Sequence, residues 1–97
     1  MKTFYSEYVR HCMRFYARHP QPKFRTEVDK LNWYACDNAI KGFSEKEQAI
    51  LLTVYHLGDT IADNIYRISV ECKLNQDVIW TLLDSLERKV AKKRGLI

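Results

Sequence analysis

Apolar residues recur at intervals of three and four positions through almost the whole chain, and this period constrains the fold more than any other feature. A spacing of three and four places residues on one face of an α-helix. No stretch of useful length alternates apolar and polar residues, as a half-buried strand requires. The sequence therefore predicts an all-α fold. The expected inward face of the last helical segment shows the pattern most clearly: Val78, Ile79, Leu82, Leu83, Leu86 and Val90.

Helix-breaking residues divide the chain into about five helical segments. The breaks are "HPQP" at residues 19–22, Gly42, Gly58 and residues 73–75, because proline and glycine interrupt helices. At 97 residues the chain has room for one core, so we expect a single domain. Within it, residues 1–42 would form an N-terminal helical pair, and residues 43–97 would form the rest.

Local signals place several helix ends. Ser44 and Glu47 have the spacing of a capping box, in which each residue satisfies a free backbone N–H of the other. Thr26 and Asn75 are favoured N-cap residues for the second and fifth helices. Gly42 is expected to take the left-handed position that ends the second helix.

The inward faces of the first two segments follow from the same period. The first helix, over about residues 3–18, and the second, over about residues 27–41, should each bury one stripe. Trp33 and Tyr34 are expected in the core. The predicted stripes are Tyr5, Tyr8, Val9, Cys12, Met13 and Tyr16 in the first helix, and Val28, Leu31, Ala35 and Ala39 in the second.

Composition excludes several classes of protein. No apolar run approaches the ~20 residues of a membrane helix, and the first residues lack the apolar centre of a signal peptide. We therefore expect a cytoplasmic protein with no membrane partner. The three cysteines are far apart and lack zinc-ligand spacing, which predicts reduced, mostly buried thiols, no metal and no cofactor. No catalytic grouping occurs, so the chain is predicted not to be an enzyme.

The net charge of +4 hides a division into three parts. Residues 1–42 carry eight Lys/Arg and four Asp/Glu, residues 43–86 carry three and seven, and residues 87–97 carry five and one. An acidic middle segment of net charge −4 thus lies between two basic segments of net charge +4 each. Such a pattern bears on the choice of partners rather than on the fold.

Residues 68–82 have the spacing of a helix-turn-helix unit. That unit needs a buried and a small residue in its first helix, an apolar residue in the turn, and a buried β-branched residue early in its second helix. Helical hairpins of other kinds would also satisfy this pattern. The corresponding residues are Ile68 and Ser69, then Leu74, and then Val78, with Asn75 as the cap and Leu82 one turn later.

The preceding helix extends this pattern into a family resemblance. "FSEKEQAILLTVYHLGDT" followed by "ISVECKLNQDVIWTLLDSLERKVAKK" resembles the C-terminal promoter-reading region of bacterial sigma factors and the sigma-like regulators of phages and mobile elements. The resemblance covers about half the chain. This sequence departs from the family outline by about one extra helical turn, "DTIADN", and by Lys73 where a small residue or glycine is common. The matching residues are Phe43, Ser44, Glu47, Ile50, Leu51, Tyr55, Gly58, Ile68, Leu74, Val78 and Leu82.

The resemblance implies a small DNA-binding transcription regulator whose last helix enters the major groove of double-stranded DNA. It also implies binding as a homodimer and contact with RNA polymerase or another protein. Basic side chains near the ends of the chain would then hold phosphates. The base-facing candidates are Gln76, Trp80, Thr81 and Asp84, and the phosphate-binding candidates are Arg88, Lys89, Lys92, Lys93 and Arg94, with Arg10, Arg14 and Arg18 as a second stripe.

Simpler interpretations of the same residues stay open. Each charged stripe is also typical of a solvated helix face, and Trp80 could pack on the first two helices. Asp77 and Asp84 would repel the phosphates that supply most DNA affinity. The alternative hypothesis is a helical protein-interaction module with the shape of a helix-turn-helix and no DNA-reading face. In that case an acidic face could dock a basic partner such as a polymerase subunit: Glu45, Glu47, Asp59 and Asp63.

Overall fold

A computed structural model describes residues 4–20 and 23–97 of the chain. Within these residues it contains no strand, and the all-α prediction is confirmed. The predicted number of helices is also confirmed. The five are α1 (Ser6–Arg18), α2 (Glu27–Ile40), α3 (Glu45–His56), α4 (Ile61–Cys72) and α5 (Gln76–Lys93).

The helices begin where their capping residues predict. In the capping box, the Glu47 N–H donates to Ser44 Oγ at 3.2 Å and the Ser44 N–H donates to Glu47 Oε1 at 2.9 Å. The side chains of Thr26, Thr60 and Asn75 each accept from a backbone N–H in the first turn of the helix that follows. Each cap satisfies one of the free donors at a helix start, so these boundaries are set locally.

Two helix ends differ from the sequence-based expectation. Gly42 does not adopt a left-handed conformation, and Lys41 ends α2 with φ −64° and ψ −13°. The prediction for Gly42 is therefore wrong. Among the described residues, the left-handed ones are Gly95, after α5, and Lys73, which ends α4 with φ 54° and ψ 44°. Lys73 thus holds a conformation that costs a residue with a Cβ atom roughly 1–2 kcal/mol relative to the right-handed region.

All five helices contribute to one core. Helix α1 packs against α2, α3 and α5, while α4 packs against α3 and α5. Every helix places at least one apolar side chain at no more than 1% exposure in this core. The fully buried residues that show this are Val9 and Met13, Cys36 and Ile40, Leu51, Val54 and Tyr55, Ile65, and Ile79, Leu83, Leu86 and Val90.

The helical phase differs from the prediction at the start of α5. Ile79 is fully buried, whereas Val78 is 49% exposed. The prediction of Val78 as the buried β-branched anchor is therefore wrong. A shift of one residue turns a helix by about 100°, and Ile79 rather than Val78 lies in phase with Leu83 and Leu86.

Several other predicted core residues lie at the surface. Trp33 is only half-buried, and about half of the Leu31 and Tyr34 side chains remains accessible. The predicted stripes of α1 and α2 are wider than the faces that the two helices bury against their neighbours. The other residues predicted to face inward but exposed in the structure are Tyr8 and Val28.

Among the described residues, no helix combines the length and the apolar character needed to cross a bilayer.

Candidate nucleic-acid interface

Helix α5 turns one face to the core and the other to solvent. Its buried face carries Ile79, Leu83, Leu86 and Val90. The solvent face changes character along the helix, from acidic and polar at the start to basic at the end. The exposed residues are, in order, Gln76, Asp77, Val78, Thr81, Asp84, Ser85, Arg88, Lys89, Lys92 and Lys93.

Four exposed cations cover the last two turns of α5. We call Arg88, Lys89, Lys92 and Lys93 the basic face. Among residues 4–20 and 23–97, none of the four lies within ion-pairing distance of an acidic side chain. They are therefore available to an external anion. The sequence predicted all four as phosphate-binding candidates, and the structure brings them together.

Two shallow grooves meet at the basic face. One, of about 410 Å³, is lined by Asp84, Ser85, Arg88, Lys89 and Lys92. The other, of about 360 Å³, runs between α5 and the end of α2 and includes Asn38 and Gly42 besides three lysines. The second groove shows that α2 contributes polar groups next to the cations, which the sequence could not reveal.

Lys89 is the one member of the basic face with a described internal contact. Its Nζ lies 4.4 Å from the centroid of the Phe43 ring, a geometry in which the ring attracts the cation. The stem of Lys89 is therefore held against the start of α3, while its charge stays at the surface.

Arg94 was predicted to be part of the same cluster, but it contacts α2 instead. Its Nε donates to Oδ1 of Asn32, and its side chain is half-buried. Asn32 also donates to the Tyr8 hydroxyl at 2.9 Å. Arg94 thus links the end of α5 to the N-terminal pair, and we leave it out of the basic face.

The predicted base-facing residues divide into two groups. Gln76, Thr81 and Asp84 lie on the solvent face of α5. The Thr81 hydroxyl donates to the Asp77 carbonyl at 2.8 Å, within its own helix. Trp80, in contrast, is half-buried and packs against the core. It lies in phase with Leu83, one turn later, so its assignment to the base-facing set is corrected.

The arginine stripe of α1 is engaged inside the molecule. Arg10 Nε donates to Glu87 Oε2 at 2.9 Å, and Arg14 donates to three backbone carbonyls between residues 55 and 59. Arg18 is exposed and has one long contact, 3.4 Å to the His56 carbonyl. Because these contacts occupy the guanidinium groups of Arg10 and Arg14, we no longer assign them to phosphate.

Glu87 is a buried charged residue that the sequence-based predictions did not include. Its carboxylate is 2% exposed and also accepts from the Tyr55 hydroxyl at 2.8 Å. Burial raises its pKa, while the hydrogen bonds from Arg10 and Tyr55 oppose that shift. Burial and the nearby Glu87 carboxylate raise the pKa of Tyr55 well above its ordinary value. The sequence does contain a signal for the burial of Glu87, because this residue lies one turn after Leu83 and therefore on the buried face of the helix.

The end of α3 is fixed by two polar side chains from other helices. Arg14 reaches the Leu57 and Asp59 carbonyls at 2.9 and 2.8 Å. Asn64 Nδ2 donates to the Val54 carbonyl at 2.8 Å and to the same two carbonyls at 3.1 and 3.2 Å. These carbonyls at the helix end and in the turn would otherwise lack donors. Asn64 belongs to the extra turn "DTIADN", so that turn has a structural role here.

Thiols and possible metal ligands do not form a centre in the described part of the chain. Within residues 4–20 and 23–97, no three His, Cys, Asp or Glu side chains cluster closely enough to hold a metal ion. Burial raises the pKa of Cys12 to about 11 and that of Cys36 further. Both thiols are therefore protonated and unreactive near neutral pH.

Scans of the sequence against protein-family models, curated proteins and solved structures found no match to any of them.

Proposed function

We propose that this protein is a small, non-enzymatic DNA-binding regulator whose basic face contacts the phosphates of duplex DNA. The observation that carries the proposal is the basic face itself: four exposed cations on consecutive turns of one helix, unpaired by any described acidic side chain. Phosphate contacts by lysine and arginine supply most of the affinity of DNA-binding proteins. The sigma-like pattern of residues 43–97 supports the same proposal.

The arrangement of α4 and α5 is compatible with a helix-turn-helix. Only Lys73, Leu74 and Asn75 separate the two helices, a connection of the length that the unit uses. Ile68 and Ser69 are buried at 3% and 8% exposure, as the pattern requires, whereas at the β-branched position Val78 is exposed and its neighbour Ile79 is buried instead. In this proposal α5 lies at the major groove, and binding as a dimer would extend the contact to two half-sites.

We expect phosphate contact to contribute more than base reading. Gln76 and Thr81 are the exposed neutral polar residues near the start of α5, and they lie beside the carboxylates of Asp77 and Asp84. A carboxylate accepts hydrogen bonds from cytosine but repels the backbone. The protein should therefore bind many duplex sequences with similar affinity.

Titration into labelled duplex DNA at several salt concentrations tests the proposal. Log affinity should fall linearly with log salt concentration, with a slope of about 0.9 for each phosphate neutralised. The triple variant Arg88→Ala, Lys92→Ala, Lys93→Ala should flatten this slope by up to about 2.7, since three contacts are removed. These three residues are exposed, so the fold should be retained.

A matched variant separates local contact from net charge. Replacing Lys46, Arg67 and Lys73 by Ala removes the same charge from the acidic middle segment, and it should leave most of the slope unchanged. Equal slopes for the two triple variants would show that the basic face is a bystander. Absence of binding at low salt would exclude the DNA-binding function.

A second function is favoured by a separate observation. Val78 is an exposed apolar residue on α5, next to the exposed carboxylate of Asp77. The carboxylate repels phosphates, whereas the buried core of a protein–protein interface covers exposed apolar side chains such as Val78. A helical protein-interaction module is therefore the alternative proposal.

A further inference from the structure

An apolar groove lies between the first half of α3 and the first half of α5. It has a volume of about 460 Å³. Its apolar lining comes from Ile50 on α3, Leu74 in the connection, and Val78 and Leu82 on α5. We call it the α3/α5 groove. It contains none of the four cations of the basic face.

The apolar residues of this groove are incompletely covered by the protein's own fold. Val78 is 49% exposed, and Ile50, Leu74 and Leu82 are only half-buried although they pack against the core. Val78 and Leu82 lie one helical turn apart, and Ile50 faces them from α3. A shallow apolar groove between two helices can receive the apolar face of a third helix.

The charge around the groove selects the partner. The lining carries two acidic residues and one basic residue, a net charge of −1, and it lies wholly within the acidic middle segment, residues 43–86. Glu47 and Asp77 are at the rim together with Lys46, and Asp84 is exposed one turn beyond Thr81. An approaching helix with basic residues beside its apolar face is therefore attracted, and an acidic one is repelled.

We propose that the α3/α5 groove docks the apolar face of a basic amphipathic helix from a partner protein. This interaction uses Val78 and Leu82 in the first half of α5, whereas the phosphate contacts proposed for DNA come from the basic face in the second half. The inference rests on the alternative protein-interaction function and specifies its partner, and its test is independent of the salt titration with DNA. The groove also gives a physical reason for the outward position of Val78 and for the acidic start of α5.

A designed peptide serves as the probe. It is a fluorescent helix of about four turns made of leucine and lysine, with leucine at positions i, i+3, i+4 and i+7. Fluorescence anisotropy with the full chain should show saturable binding. A peptide with glutamate in place of each lysine should bind at least about tenfold more weakly, because its charge matches that of the groove. Equal binding of the two peptides, or no binding of the lysine peptide, would overturn the proposal.

Paired valine variants locate the binding. Val78→Ser removes an apolar contact from the groove, while Val70→Ser removes one from the exposed face of α4, where the side chain is 59% exposed. Both positions are at the surface, so both variants should fold. We expect Val78→Ser to weaken peptide binding by about fivefold or more and Val70→Ser to leave it within about twofold. Similar losses for the two variants would place the peptide elsewhere and contradict the assignment.

The triple variant of the basic face provides the final control. Replacing Arg88, Lys92 and Lys93 by Ala should leave the affinity for the lysine peptide unchanged or slightly increased, because it removes positive charge distant from the lining. A marked loss of peptide binding in this variant would refute the division of α5 into two surfaces.

Discussion

Glu87 is an acidic residue inside a basic segment, and its environment explains its position. Five of the six charged residues in 87–97 are cationic, yet Glu87 is the one that is buried. Its carboxylate accepts from Arg10 on α1 and Tyr55 on α3. A buried carboxylate needs such partners because desolvation strongly disfavours an unpaired charge. Glu87 thus joins three helices through a single side chain.

The raised pKa of Glu87 predicts how stability depends on pH. Burial raises the folded-state pKa above the ordinary value of 4.5. At pH values between the ordinary pKa and the raised folded-state pKa, the folded state binds more protons than the unfolded state. The contribution of Glu87 to stability therefore falls as pH rises through this window. The quantity to compare is the free energy of unfolding of the wild type minus that of Glu87→Gln. We expect this difference to decrease as pH rises above 4.5 and to become constant above the folded-state pKa.

Urea denaturation of both proteins at closely spaced pH values would measure this difference. Subtracting the variant cancels the titration of the other carboxyl groups, which the two chains share. A difference that increases with pH over the same window would show that Arg10 and Tyr55 outweigh the effect of burial.

Lys73 gives a second prediction at the scale of one residue. Its left-handed conformation is strained for any residue with a Cβ atom, so Lys73→Gly should relieve about 1–2 kcal/mol. The greater freedom of glycine in the unfolded chain offsets about 0.4–1 kcal/mol of that gain. The net expectation is a stabilisation of about 0–1.6 kcal/mol, seen as a higher urea midpoint.

Lys41→Gly is the matched control for this change. Lys41 also ends a helix, but its conformation is right-handed. Glycine there relieves no strain, adds freedom to the unfolded chain and removes the 2.7 Å ion pair between Lys41 and Asp37, so a lower midpoint is expected. If both glycine variants shifted the midpoint in the same direction, the left-handed strain at Lys73 would not be the cause.

At the scale of the element, α3 depends on other helices for its C-terminal end. Its start is fixed by its own capping box, whereas its end receives donors from Arg14 on α1 and Asn64 on α4. Positive side chains at this end also interact favourably with the helix dipole. The α1 arginines that the sequence indicated as a phosphate stripe thus include a structural clamp.

Arg14→Met tests the clamp. Methionine keeps much of the apolar stem but removes the donors to the Leu57 and Asp59 carbonyls. Because hydrogen bonds to charged groups contribute about 1.5–3 kcal/mol, we expect a loss of unfolding free energy of about 2 kcal/mol. Arg18→Met, on the same stripe but exposed, should change stability by less than about 0.5 kcal/mol. Comparable losses for the two variants in urea denaturation would contradict the role of Arg14.

At the scale of the whole molecule, the N-terminal pair and the remaining helices share one core. Val9 and Met13 of α1 and Cys36 of α2 are fully buried, and Arg10 reaches Glu87 on α5. The division at residue 42 that composition suggests is therefore not a division of the core. Helices α3 to α5 alone would expose this apolar surface and leave Glu87 without Arg10.

We accordingly expect a fragment of residues 43–97 to lack a cooperative unfolding transition. Calorimetry and near-ultraviolet circular dichroism would compare it with the full chain, for which we expect one sharp transition. A cooperative transition in the fragment would show that α1 and α2 are dispensable for the core.

The sequence allowed most of the helices to be located, and the reason is that their signals are local. The capping box at Ser44, the caps at Thr26 and Asn75, and the proline break after α1 each act within a few residues. The sequence specifies less clearly which face of a helix is buried, because burial depends on contacts with the other helices. Val78 and Ile79 are both β-branched and adjacent, and each has an apolar residue one turn later, Leu82 or Leu83, so packing against the other helices decides which of the two stripes is buried.

The sequence by itself therefore determined the all-α class, the five helices and the cations at the end of α5. The tertiary structure alone decided which charged residues are free. It buried Glu87, engaged Arg10, Arg14 and Arg94, and left the basic face exposed. The physical reason is the sequence separation over which each interaction acts. Helix propensity and capping depend on neighbours along the chain, whereas burial and ion pairing join residues far apart in sequence. Arg10 and Glu87, for example, are 77 positions apart.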